Sequence, residues 1–378
     1  MNEKITVERF LKENEAELLN ILKELCHIPA PSGFEDERAE YCKNKLISFG
    51  AKGVYIDEAK NVIYPVNADG SDKLTVIVAH TDTVFPDREP MPYTDDGEII
   101  TCPGVGDDTA SVSVLMMMAK YLIENDIKPK NGLLIVCNSC EEGLGNLKGT
   151  RRIFADFEGR IEKFISYDSN LNKIYNRCVG STRYEVEVKT EGGHSYGAFG
   201  NKNAIYYLSK IVNEIYALTV PEIDGEKTTY NVGIIEGGTS VNTIAQSAKM
   251  LCEYRSTSAD ALDIMKKKFF DIFDSVRNMG VEVNITVVGE RPSARGVDPE
   301  KLKELCSICE GAVERVTGKG YTYASASTDC NIPLSLGIPA VCFGVYAGGG
   351  AHTRTEWVRK SSLITGLHIA IETTKDLI

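Results

Sequence analysis

Apolar residues along this chain follow two rhythms: short unbroken runs, and longer stretches in which they recur three and four positions apart. Near the start, Phe10, Leu11, Leu18, Leu19, Ile21 and Leu22 recur at helical spacing among charges, which predicts an amphipathic helix. Ser32 begins PSGFEDERAEYCKNKLISFG with Glu35 three residues on, a capping-box pattern that predicts a helix reaching about Phe49. VIYPV (62–66) and KLTVIVA (73–79) are β-branched, apolar runs and read as strands. After a Gly/Pro-punctuated region comes CPGVGDD, and then TASVSVLMMMAKYLIEND, a helix expected to be buried on most faces. NGLLIVCNS (131–139) and GRIEKFISYDSN (159–170) read as further strands, the first leading into Cys140-Glu141-Glu142 and the second ending in Asp168. Strands alternating with helices predict an α/β fold with a mostly parallel sheet.

The rhythm changes after about Cys178. TRYEVEVKT alternates apolar and polar, NKNAIYYLSKIVNEIYAL is an amphipathic helix, and TTYNVGIIEGG and QSAKMLCEYRS alternate again. ADALDIMKKKFFDIFDSVRNMG is helical and VEVNITVVG a last strand. This β-α-β-β-α-β order predicts a ferredoxin-like module able to fold as its own unit. Helix and strand then resume with DPEKLKELCSICEGAVERVTG, IPAVCFGVY and a helix from about Lys360. The expected organisation is one α/β domain, residues 1–178 and 293–378, interrupted by an insertion at 179–292.

Composition narrows the function. The chain has 378 residues, 43% hydrophobic and 25% charged, with a formal charge of −12. Phosphates would be repelled, so a nucleic-acid or anionic-membrane partner is not expected. The charged N-terminal stretch does not look like a signal peptide, and no run of ~20 apolar residues spans a membrane; the expectation is a cytoplasmic protein. Eleven cysteines are an odd number, most within apolar runs, as for reduced buried thiols. CNSC (137–140) and CSIC (306–309) are read as core packing, and GVGDD lacks the third glycine of a dinucleotide-binding loop.

With only five histidines, each can be questioned. His80 and Asp82 close one apolar strand, Glu141 and Glu142 another, Asp168 a third, and His352 follows a fourth. Asp107, in GVGDDTAS, stands at the N-terminus of the helix expected to follow. Ligands of open α/β sheets bind at the carboxyl ends of strands. Two imidazoles and at least three carboxylates gathered there could hold two divalent ions sharing one carboxylate. Such a donor set suits zinc, with cobalt or manganese as alternatives.

H-T-D-T-V (80–84), G-V-G-D-D (104–108), C-E-E-G (140–143), G-G-H-S (192–195), S-T-D (327–329) and A-H-T-x-x-E (351–356) resemble, in order and spacing, the co-catalytic zinc exopeptidases and amidohydrolases. That family includes carboxypeptidase G, peptidase T, aminoacylase, acetylornithine deacetylase and succinyl-diaminopimelate desuccinylase. The resemblance implies that His80 and Asp168 bind one zinc, Glu142 and His352 the other, and that Asp107 bridges them. It implies that Asp82 orients His80, its same-face neighbour on the strand, and that Glu141 is the general base acting on the attacking water. Glu142, the strand neighbour of Glu141, would point to the other face, so that one binds metal while the other stays free. His194, in GGHSYG of the insertion, would polarise the scissile carbonyl, in dimeric members from the neighbouring subunit. Asn242, Arg255 and Arg291 resemble positions with which carboxypeptidase-like members hold a terminal carboxylate, a clamp that would close the domains on substrate. Two positions depart from the family: Thr109 stands where Lys is common and Lys60 where Gly is usual.

The resulting expectation is a di-zinc exopeptidase of short peptides, Asp168 favouring peptidases over deacylases, and a homodimer formed through the insertion. The alternatives are an N-acyl amino-acid deacylase with the same metal chemistry and a non-catalytic peptide- or metal-binding relative. An intact Glu141 argues against the last, because a binding protein has no need of a base.

Overall fold

The computed structural model describes residues 4–378. The chain divides into two compact units, one running to Cys178 and resuming at Arg295–Ile378, the other Val179–Ala294.

In chain order, the first unit begins with α1 (Val7–Cys26), α2 (Asp36–Ser48), β1 (Tyr55–Ile56), β2 (Val62–Val66) and β3 (Leu74–His80). It continues with α3 (Ser111–Glu124), β4 (Gly132–Asn138), α4 (Lys148–Asp156), β5 (Ile161–Tyr167) and β6 (Lys173–Cys178). The second unit holds β7 (Gly180–Lys189), α5 (Ala204–Tyr216), β8 (Thr228–Gly237), β9 (Ser247–Ser256), α6 (Ala259–Arg277) and β10 (Glu282–Arg291). The chain then returns with α7 (Pro299–Thr317), β11 (Thr322–Ala326), β12 (Ala340–Phe343) and α8 (Lys360–Leu377).

The large sheet has the order β1-β2-β4-β3-β5-β12-β6-β11. Its centre, β4-β3-β5-β12, is parallel throughout. Every residue of β3 and β4 is buried, as it must be when helices cover both faces of a parallel sheet. That is why these strands read as unbroken apolar runs. α3 fits the expected buried helix, with Val112, Leu115, Met116 and Met117 essentially sealed from solvent. α7 starts on Asp298, whose carboxylate accepts from the Glu300 and Lys301 amides, and stops at Gly318 in the left-handed region.

The second unit has the sheet order β8-β9-β7-β10, antiparallel at every pairing. Its own core joins Tyr184, Val186, Met250 and Tyr254 of the sheet to Leu208, Phe269 and Phe273 of the two helices. A split β-α-β of this kind is the ferredoxin-like arrangement.

Three local expectations are corrected. Ser32 and Glu35 form no capping box: α2 begins at Asp36, and Glu35 makes no side-chain cap. Both side chains have distant partners instead. The strand after Asn131 ends at Asn138, so Glu141 and Glu142 sit in the following loop rather than on alternate faces of a strand. α3 begins at Ser111; Asp107 lies earlier, in a wide irregular turn (Val105–Ala110), with a non-helical backbone and a cis bond to Asp108. The last two strands of the sheet, β6 and the edge strand β11, are partly and largely exposed, respectively, and carry too weak an apolar pattern to be expected from sequence.

Candidate active site

Each central strand delivers its polar end to one side of the first unit. His80 is the last residue of β3 and 1% exposed. Asp168 directly follows β5. The Cys140-Glu141-Glu142 loop follows β4, and His352 comes from the segment beyond β12. Three sets of donor atoms lie within 4.8 Å of one another: His80, Asp107 and Asp168; Asp107, Glu142 and His352; and His80, Glu141 and Glu142. Asp107 belongs to two of them. Its Oδ1 lies 3.1 Å from His80 Nε2, and its Oδ2 lies 3.1 Å from His352 Nε2. Glu142 Oε1 is 3.3 Å from that same His352 nitrogen.

Two atoms that each sit ~2.1 Å from a common ion are about 3–3.5 Å apart. The spacing therefore fits donors sharing an ion as well as it fits hydrogen bonds. Glu142 Oε1 is buried and, although 3.3 Å from His352 Nε2, makes no well-directed hydrogen bond, a lack that a cation would satisfy. The donor set of two imidazoles and three carboxylates is borderline to hard, as divalent zinc, manganese or cobalt require.

Proton affinities in the cluster lie far from their ordinary ranges. Burial alone would lower His80, but hydrogen bonds to Asp107 and Asp82 outweigh it and raise the imidazole well above its ordinary range. His352 is raised to about 10 by Asp107 and Glu142. Burial, then the Asp107 charge, pushes Asp168 up to about 7. Asp107 goes the other way: burial opposes ionisation, but both histidines hold it as the anion. Crowded buried carboxylates of this kind mark functional sites.

Contacts behind the ligand group hold each loop in place. His80 Nδ1 donates to the Asp82 carbonyl at 3.0 Å, with the Asp82 carboxylate at 3.4 Å; this fixes the tautomer and aims Nε2 at Asp107. Because β3 ends at His80, the two residues are not same-face strand neighbours. The Asp82 carboxylate also anchors the neighbouring loop, accepting from the Glu141 and Glu142 amides at 2.9 and 3.0 Å and from Ser32 Oγ at 2.6 Å. Glu35, fully buried, accepts from the Cys140 amide and the Gly33 amide. Cys140 itself adopts φ +54°. Glu356 accepts from the Gly104, Gly106 and Asp107 amides at 2.9, 2.8 and 2.7 Å. Gly106 is needed there, since a Cβ would come within 2.9 Å of the Tyr346 ring.

Glu35 and Glu356 are thus parts of the site that sequence reasoning left without a role, although Glu356 closes the A-H-T-x-x-E motif. Both departures also have local explanations. Lys60 holds φ +75°, a conformation glycine adopts freely, and its Nζ bonds Asp36 and the Gly33 carbonyl. Beside Thr109, a buried cation comes from Arg38, which donates to Thr109 Oγ1 at 3.2 Å and to the Thr81 carbonyl at 2.8 Å.

The remaining candidates belong to the second unit. His194 is exposed, and its Nδ1 accepts from the Tyr196 and Gly197 amides, which leaves the proton on Nε2. Its ribbon pairs with Thr243, next to Asn242. Arg255 and Arg291 stand on either side of Ser181 in the sheet register, on one face. Arg255 Nε is bonded to Glu253 at 2.9 Å, while Arg291 is buried.

The sequence profile of peptidase family M20/M25/M40 matches residues 76–376. The chain belongs to that family. It is a metal-dependent hydrolase, and its mostly parallel sheet with an interrupting unit is the fold of the family's solved members. Succinyl-diaminopimelate desuccinylase of Corynebacterium glutamicum is 23% identical over 89% of this chain and 90% of its own. A tripeptidase structure from Staphylococcus aureus superposes with a TM-score of 0.77 at 22% identity, covering 96% of this chain and 98% of that one. A dinuclear metal-binding peptidase of Bacillus subtilis superposes at 0.68, with 15% identity over 97% and 99%. No helix among the described residues is long and apolar enough to cross a membrane.

Proposed function

We propose that the protein is a di-metal exopeptidase that hydrolyses the terminal peptide bond of short peptides. The observation that carries this reading is Asp107, whose two carboxylate oxygens face His80 and His352 at 3.1 Å each. One carboxylate with an imidazole on each oxygen is the arrangement expected of a bridge between two ions ~3.5–4 Å apart. Asp168 would complete the first ligand set with His80, and Glu142 the second with His352. Two divalent ions there, zinc by preference, would polarise the scissile carbonyl and make a water acidic near neutral pH.

The chain's own groups supply the remaining steps. Glu141 is the base: it takes a proton from the attacking water and delivers it to the leaving amine. Its backbone is pinned by Asp82, so its carboxylate can stay close to the ligand group without being needed as a ligand. His194, with its proton on Nε2, is the donor to the developing oxyanion, and Asn242, Arg255 and Arg291 hold the free α-carboxylate. The active species is a homodimer joined through the second unit, working in the cytoplasm.

The test is a panel of di- and tripeptides, their C-terminally amidated forms and N-acetyl amino acids, with chelator and after return of Zn²⁺, Mn²⁺ or Co²⁺. Peptides with a free carboxylate are expected to be hydrolysed best, chelator to abolish turnover, and Arg291→Ala chiefly to raise KM. Preference for N-acetyl amino acids would make the enzyme a deacylase. Equal cleavage of amidated peptides would remove the carboxylate clamp.

A further inference from the structure

Beside the ligand group, the first unit contains a cavity of about 430 Å³ lined by Phe34, Val84, Phe85, Arg88, Glu142 and Leu144 among others. Its size is that of a small-ligand site. Two features separate it from an ordinary surface dent. Phe34, Val84 and Leu144 are large apolar side chains left 49%, 38% and 71% exposed, yet all three turn onto this one space, which reaches Glu142. Further, the Arg88 guanidinium lies 3.6 Å from the centre of the Phe34 ring. Stacking covers one face of the guanidinium and leaves its edge N–H groups available.

Arg88 is the arginine that lines the cavity, and the nearby Arg354 is engaged elsewhere. Arg354, over the Phe85 ring, is bonded to Asp87 at 2.7 Å. Arg88 has no carboxylate partner among the described residues, in a chain of net charge −12. A pre-positioned cation at the edge of an apolar pocket selects a ligand that is apolar along its stem and anionic at its tip.

We propose that this cavity is the pocket for the acyl part of the substrate, and that it takes a side chain with an apolar stem ending in a carboxylate, which Arg88 binds. The assignment rests on the exopeptidase reading. There, the leaving residue is held by its α-carboxylate on the second unit, so the acyl residue is the part left for a cavity that shares Glu142 with the metal centre. Acidic residues of glutamyl length fit the description, and their neutral isosteres lack the partner for Arg88.

The experiment compares Glu-Ala, Gln-Ala and Leu-Ala, together with glutaryl-alanine and pentanoyl-alanine, for the wild type and Arg88→Gln. The wild type is expected to prefer each acid over its neutral counterpart by about tenfold or more in kcat/KM, the worth of a charge-assisted hydrogen bond. In Arg88→Gln that ratio should fall to near one. Calorimetry of glutaryl- and pentanoyl-alanine on chelator-treated protein gives the same ratio without turnover. If only the acyl-alanines are hydrolysed, the exopeptidase reading falls and the pocket is judged on that pair. If nothing is hydrolysed, calorimetry decides. Equal handling of acid and neutral members by the wild type, or a ratio unchanged in Arg88→Gln, overturns the pocket.

Discussion

Cys140 turns the chain through φ +54° immediately before two glutamates with different proposed roles. That turn is held from both sides, by Glu35 at the Cys140 amide and by Asp82 at the next two amides. The separation of Glu141 from Glu142 is therefore a property of the loop and its anchors, not of strand alternation. With Glu141 as base, Glu141→Gln should keep both ions and lose about 10²–10⁴-fold in kcat. Turnover near that of the wild type, with metal retained, would take Glu141 out of the mechanism. Of the five candidate ligands, His80, Glu142 and Asp168 could be read from sequence because each ends or closely follows a buried apolar run, whereas Asp107 and His352 rested on the order and spacing of the motifs. Their supports were not legible. Ser32 and Glu35 matched a helix-capping rule by spacing alone, while their hydrogen bonds go to Asp82, fifty residues on, and Cys140, more than a hundred on. Side-chain partners that distant leave no local signature.

At the scale of elements, the central parallel strands were legible because burial on both faces removes polar residues from them. The outlying strands β6 and β11 and the irregular turn at Val105–Ala110 were not, since exposure and a single unusual turn weaken any periodicity. The helices of the first unit are joined by a polar contact on their outer side. Glu17 of α1 pairs with Lys120 of α3 and, at 3.3 Å, with Lys45 of α2. Burial works against its ionisation, but the two lysines outweigh that and lower its pKa. A carboxyl depressed in the folded state contributes stability above its unfolded value of about 4.3, and that contribution is lost as pH falls through the folded value. Glu17→Gln should thus lower Tm by about 2 °C at pH 7, with the difference narrowing below about pH 4. A penalty of the same size at both pH values would show that packing, not charge, is what the substitution removes.

In the whole molecule, the interrupting unit reads in sequence as residues 179–292, and the second compact unit is Val179–Ala294. The change from buried runs to alternating strands makes this boundary visible, because one sheet is covered on both faces and the other on one. β8 is an edge of the smaller sheet and leaves Ile234 and Ile235 54% and 56% exposed. An open apolar edge is a liability that a second copy of the chain would cover. Light scattering should give twice the chain mass, and Ile235→Lys should shift it toward one chain; a fully active monomer would sink the proposed dimer and any role for His194 across it. Two ions sharing Asp107 are the centre of the proposed chemistry, and metal stoichiometry tests that sharing most directly. Elemental analysis of purified, metal-loaded protein is predicted to give two divalent ions per wild-type chain and fewer than one in Asp107→Ala, with folding checked by circular dichroism. One ion or none in the loaded wild type, or two still bound in a folded Asp107→Ala, would contradict it.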